Sequence, residues 1–149
     1  MSTRLSTPSG GPGIAAVIAR VVVGGMMFFH GLDKLNSGVS GFGEGLTGMG
    51  VPLPSVAAWA MTLLELVGGL MLVVGLLARL IAALMTLELI GAIVVATGAN
   101  GLIGQDGVGY ERDLAYIVGF LVVVLSGPGR PSLDHMLGIE RAPAVQATV

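Results

Sequence analysis

The chain has 149 residues, 54% of them hydrophobic and only 11% charged, with a net charge of −2. So much apolar side chain excludes intrinsic disorder, and seven basic residues scattered singly provide no stripe to neutralise nucleic-acid phosphates. A mean hydropathy of +0.91 leaves an integral membrane protein, of a length that suits one domain.

Residues 1–12, rich in Ser, Thr, Pro and Gly, read as a flexible N-terminal segment. Four apolar segments follow: Gly13 to Leu32, Ser55 to Leu77, Leu80 to Gly98 and Leu114 to Ser126. A helix needs about 20 residues to cross roughly 30 Å of hydrocarbon. The first three segments satisfy that, and the fourth does so if it begins near Arg112 or Asp113. Lipid leaves no water for free backbone groups, and these runs do not alternate as barrel strands would. The fold class is therefore all-α, an integral membrane four-helix bundle over residues 13–135, followed by a flexible tail over 136–149. The first segment is not a cleaved signal, because His30, Asp33 and Lys34 follow it instead of a small-residue cleavage motif.

Four spans put both chain ends on one side. That side carries Arg4, Arg79, Arg130 and Arg141, against Lys34 and Arg112 on the other, so the positive-inside rule puts the N- and C-termini in the cytoplasm. The two longer loops, 36–54 and 99–111, are Gly-rich but lack the Lys-Ser or Lys-Thr of a phosphate loop. The first reads as a mobile or re-entrant loop, or as a short interfacial helix on the spacing of Phe42, Leu46 and Met49. Gly24 and Gly31, Gly68 and Gly75, and Gly91 and Gly98 are seven apart, which predicts three small-residue faces for close helix packing. Residues 64–70 match 87–93 in pattern, as a weak inverted pair or by chance. Tyr110, Tyr116 and Trp59 are expected at the membrane interface, and Glu111-Arg112-Asp113 as an interfacial helix start.

The informative residues are the charges within apolar runs. Each costs about 2.5–3.5 kcal/mol at mid-bilayer even on lenient scales. Glu65 and Glu88 are each about 13–15 Å from a membrane edge on neighbouring helices, and Arg20 is about 10 Å in from the cytoplasmic side. The three are expected to meet near the midplane. One reading is an ion pair that locks the helices; the other is a proton or polar site. Two acids against one base leave one carboxyl without a cation, suited to hydrogen-bond a ligand or pass a proton. At the outer end of the first span, His30, Asp33 and Lys34 surround one helical turn. They either anchor the span or bind a polar head or partner there.

Cysteine is absent and histidine occurs only at His30 and His135, so the chain offers no disulfide, thiol nucleophile or self-contained metal site. Redox chemistry would need a bound quinone, a flavin or a partner subunit.

Arg20 and Gly24 followed by His30-Gly31-Leu32-Asp33-Lys34-Leu35 resemble the opening of the DoxX family. Gly50-Val51-Pro52, Leu64-Glu65-Leu66-Val67-Gly68-Gly69, Gly75-Leu76-Leu77-Ala78-Arg79 and Gly127-Pro128-Gly129-Arg130-Pro131-Ser132-Leu133-Asp134 continue the resemblance in order. It implies a multi-pass inner-membrane protein in a quinone-linked or oxidative-stress redox complex, with soluble or membrane redox proteins as partners. On that reading Glu65 is proton donor or polar anchor, Arg20 and Glu88 tune its charge, and His30, Asp33 and Lys34 contact substrate. The alternatives are a non-catalytic scaffold or assembly partner, a homo-oligomer among them, and a small-solute or proton transporter.

Overall fold

In the computed structural model, residues 11–104 and 107–140 are described, and every regular element among them is helical. In chain order these are α1 (Gly11–Ser37), α2 (Val39–Gly48), α3 (Pro54–Val74), α4 (Ala78–Asn100), α5 (Glu111–Ser126) and α6 (Leu133–Met136). The all-α membrane bundle expected from composition is what the chain forms. α1, α3 and α4 are each long and apolar enough to cross a bilayer. α5 starts at Glu111 instead of Leu114, and its 16 residues reach only about 24 Å.

The outside of the bundle is as apolar as the inside. Leu87 is 65% exposed, Val94 78% and Leu125 78%, which only acyl chains tolerate over such an area. The interior is filled by Val23 and Met27 of α1, Leu72 of α3, Met85 of α4, and Phe120 and Val123 of α5. Lipid removes most of the hydrophobic drive between helices, so close approach must supply the attraction. α1 and α3 achieve it through glycine. A Cβ on Gly31 would stand 2.5 Å from Leu66 N, and one on Gly69 would stand 2.6 Å from Phe28 N and 2.7 Å from Gly24 O.

The predicted glycine face holds for α1, for only Gly68 of the α3 pair, and not for α4. A Cβ on Gly91 meets nothing within 4 Å, and one on Gly98 meets only Ile93 of its own helix. Gly75 is not a packing residue of α3 but its terminator, at φ +73. The internal match between residues 64–70 and 87–93 does not extend to packing either. Gly68 is pressed against Ile81 and Met85, whereas its counterpart Gly91 faces open space. The π-helical turns also fall at different offsets, Leu64–Gly68 in α3 and Ile93–Thr97 in α4.

The motif after α5 forms a clasp at the end where α1 begins. Asp134 is 2% exposed, and its two carboxylate oxygens accept from Leu77 N at 2.7 Å and Ala78 N at 2.9 Å, capping α4 from 56 residues away. Asp134 N donates to Gly75 O at 2.9 Å, and Ser132 Oγ accepts from His135 N at 3.3 Å. Residues 137–140 fold back on this clasp, with Ile139 N and Glu140 N donating to Asp134 O and Glu140 paired with Arg79. Of the segments 1–12 and 136–149, expected to be flexible, residues 1–10 and 141–149 lie outside the described residues.

At the opposite end, Gly38 at φ +96 turns the chain from α1 into α2. The anticipated short helix is present there as α2, with Val39 and Leu46 buried against Ala58 of α3. Tyr116 departs from expectation: it is only 6% exposed, inside the bundle and not in an interfacial belt, because a hydrogen-bond partner awaits its hydroxyl there. Trp59 is 51% exposed on α3, in keeping with an interfacial place.

Candidate functional site

A cavity of about 650 Å³ occupies the half of the bundle nearest α2. Its walls are apolar for the most part: Met27, Leu46, Met61, Leu64, Leu84 and Val95 contribute, with Phe42 and Met49 from α2 and its turn. A few polar side chains enter it from α1, α3, α4 and α5. That is the usual composition of a small-molecule site, an apolar chamber with a small number of placed polar groups.

Lys34 and Glu65 form the central pair. Lys34 Nζ donates to Glu65 Oε1 at 2.6 Å, and its ammonium also lies 4.5 Å above the Phe42 ring centroid. The Glu65 side chain is 7% exposed and that of Lys34 22%. Glu65 sits in the π-helical turn of α3, in the part of α3 that Gly31 lets α1 approach closely. Such turns add a residue and swing side chains out of helical register, and they recur at functional positions. Glu88 enters from α4. Both its carboxyl oxygens are buried without a hydrogen-bond partner among the described residues, as is Glu65 Oε2. Three orphaned carboxyl oxygens on one chamber are costly unless something else satisfies them.

Two further polar pairs complete the lining. His30 Nε2 and the Tyr116 hydroxyl share a hydrogen bond at 3.2 Å, with the rings edge to face at 5.9 Å. Thr97 Oγ1 donates to Asp113 Oδ2 at 2.8 Å, tying the far end of α4 to the first turn of α5. Asp113 is 2% exposed, and Arg112 Nε lies 3.7 Å from its other oxygen. Asp113 and Arg112 are thus cavity residues and not merely an interfacial helix start.

The predicted residues divide. Glu65, Glu88, His30 and Lys34 all line the one cavity. Asp33 does not; it is exposed on another face of α1. Arg20 corrects the expected midplane cluster. Its guanidinium donates to Pro128 O at 2.7 Å and Leu72 O at 3.0 Å, and also to the carbonyls of Val73 and Pro131. Leu72 is seven residues beyond Glu65, about 10 Å further along α3. Arg20 therefore caps the C-terminal carbonyls of α3 and holds the clasp, a place where a cation faces the negative end of a helix dipole. The cation of the Glu65 site is Lys34.

Tyr116, Asp113 and Thr97 were missed as site residues. Asp113 and Tyr116 are three apart, so they share a face of α5, and that spacing was a usable signal. Thr97 carried none, because its role depends on the α4–α5 juxtaposition.

The family profile named DoxX matches residues 15–98. The chain belongs to the DoxX family. Among curated sequences, this DoxX protein is 37% identical over 121 residues to "Putative oxidoreductase CatD" of Bacillus subtilis, covering 81% of this chain and 85% of that protein. It is 30% identical to "Uncharacterized membrane protein Rv3486" of Mycobacterium tuberculosis, over 97% of this chain and 92% of that one. It is 25% identical to "Inner membrane protein YphA" of Escherichia coli, over 82% and 89% respectively. No solved structure matches the chain. The DoxX match covers α1 to α4 and stops before α5, so two walls of the cavity pair, Asp113 and Tyr116, stand outside it.

Proposed function

We propose that this DoxX protein is the membrane subunit of a redox complex in the cell membrane, and that its cavity binds a quinone as substrate. One observation carries the reading: an apolar chamber of about 650 Å³ at membrane depth, with partnerless carboxyl oxygens on Glu88 and Glu65 beside a lysine and a His–Tyr pair. A quinone ring is flat and apolar with a carbonyl at each end, and such a chamber offers it stacking area and hydrogen-bonding groups. Lys34 and the His30–Tyr116 pair supply donors for carbonyl oxygens, and the Glu88 carboxyl stands where a proton could pass to or from a ligand oxygen. Reduction of a quinone to a quinol takes two electrons and two protons. This chain, lacking cysteine, leaves the electrons to a redox partner protein, while its own residues bind the ring, exclude water and carry protons. The printed name of the Bacillus subtilis relative supports an oxidoreductase context. Arg79 and Arg130 at the clasp end, with Arg4 and Arg141 in sequence beyond it, support cytoplasmic termini and hence a cavity in the outer half of the membrane.

The test is titration of a decyl-tailed benzoquinone into the purified protein in mild detergent, read by thermal shift and by equilibrium binding. Wild type should bind, and Glu88→Gln and Lys34→Met should each weaken binding by about tenfold, the loss of one charge-assisted hydrogen bond. A folded wild-type protein that gives neither a shift nor binding would remove the quinone reading.

A further inference from the structure

α3 and α4 pack together only from their connecting turn up to the level of Gly68. A Cβ on Gly68 would lie 3.1 Å from Ile81 and 3.2 Å from Met85, so the helices meet there. Towards α2 they no longer meet: Ala60, Met61 and Leu64 of α3 and Leu87, Glu88 and Gly91 of α4 line the cavity. Gly91 has open space around it where a close helix crossing would leave none. Leu84, Leu87 and Val95 belong to the cavity wall and are 40%, 65% and 44% exposed. Accessible lining along one helix marks an opening on that side.

The cavity has exposed lining at the loop end, where Met49 is 50% exposed and the Arg112 side chain 47%, but the opening along α4 is a separate one. Leu84 and Val95 lie about 9 and 26 Å along α4 from its start at Ala78, in a helix of about 34 Å, so the gap faces acyl chains. The end of the cavity nearest the loops is roofed by α2, whose Leu46 is 6% exposed, with Phe42 beneath the Lys34 ammonium and Val51 packed beside them. Along α4 the lining at the opening is apolar, whereas Glu65 and Asp113 are only 5% and 2% exposed.

We infer that the gap between α3 and α4 is a lateral portal through which an amphiphile dissolved in the bilayer enters polar head first, its apolar tail remaining in the gap beside Gly91 and Leu87. The inference rests on the cavity being a binding site, as proposed above, and narrows its ligand to a membrane-borne molecule with a tail. A tailless water-soluble substrate arriving through the loop end is the alternative that the second measurement below separates from it. The missing side chain at Gly91 keeps the portal clear, and Leu87 forms its lip.

Two measurements test the portal separately from the ligand. In the first, Gly91→Trp is made in a Trp59→Phe background, leaving one tryptophan, and reconstituted in bilayers whose acyl chains are brominated at mid-chain. Quenching of at least about half the emission is expected if acyl chains reach the gap, since bromine must come close to the ring. Quenching below about a tenth would overturn the portal whatever the ligand. In the second, Gly91→Phe and Leu87→Trp are titrated with a decyl-tailed benzoquinone and with the same head group lacking a tail. Loss of about tenfold or more in affinity for the tailed molecule, with less than about threefold for the bare head, supports the portal. Equal losses for both, or none for either, overturn it. Leu87→Trp guards against misfolding, because that position is already exposed. If Gly91→Trp is quenched but the folded wild type binds neither quinone, the portal is supported and the quinone reading is the one that falls.

Discussion

Removing the Lys34 ammonium should cost far more than removing the Glu65 carboxylate, although the two make the same 2.6 Å contact. The reason is the unequal freedom of the partner left behind. In Lys34→Met, Glu65 keeps a carboxyl at 7% exposure whose Oε2 already has no partner, and it is carried on the main chain of α3, which Gly31 and Gly69 fix against α1. Breaking a buried pair from the side that strands a charge costs about 3–5 kcal/mol. In Glu65→Gln, Lys34 remains at 22% exposure near the end of α1 and has a four-carbon stem, so its ammonium can swing to the headgroup layer. That variant should lose only about 1–2 kcal/mol, the scale of one hydrogen bond with relaxation. The double variant Lys34→Met/Glu65→Leu should recover most of the loss, since apolar replacement of a buried pair is often neutral. Equilibrium unfolding of the purified protein in mixed micelles of mild detergent and dodecyl sulfate, followed by circular dichroism, measures all three. If Lys34→Met is within 1 kcal/mol of wild type, or the double variant loses as much as the two single losses together, Lys34 does not compensate Glu65 and the electrostatic account of the site is wrong.

Four other outcomes follow from the same geometry. Asp134→Ala should destabilise by about 3 kcal/mol or more, because two charge-assisted bonds to Leu77 N and Ala78 N vanish, and Asp134→Asn by about half as much; thermal unfolding in detergent reads both. Arg20→Lys should not rescue Arg20→Met, since an ammonium cannot span the carbonyls of α3 and of the loop after α5; both variants should unfold at lower temperature, and the folded fraction should bind the tailed quinone as wild type does. Gly31→Ala should cost about 1–3 kcal/mol by forcing α1 off Leu66, whereas Gly91→Ala should be neutral or gain up to about 1 kcal/mol from helix propensity; the comparison of unfolding midpoints checks it. Tyr116→Phe should lower stability by about 0.5–1.5 kcal/mol through loss of the His30 hydrogen bond and reduce quinone affinity, measured by unfolding and by titration on the same samples.

The sequence by itself determined that this is a helical membrane protein, because an apolar run of sufficient length has only one way to satisfy its backbone in lipid. It also determined which charges need an explanation, since Arg20, Glu65 and Glu88 are conspicuous within apolar runs. It marked Gly24 and Gly31 as a close-packing face of α1, because a missing Cβ is a property of the residue, while the α3 glycine that meets this face, Gly69, emerged only from the structure. Partnership was decided only by the tertiary structure. Arg20 and Lys34 are both cations on α1, two heptads apart and so on one face, and nothing local says which faces Glu65. That depends on where α3 ends: its free carbonyls at Leu72 and Val73 lie level with Arg20 and draw the guanidinium, which leaves Lys34 level with the π-helical turn at Glu65. The same holds for Gly91, which is a packing glycine by its spacing and a portal glycine by its surroundings, because the divergence of α3 from α4 is set by the whole bundle and by no residue in either helix.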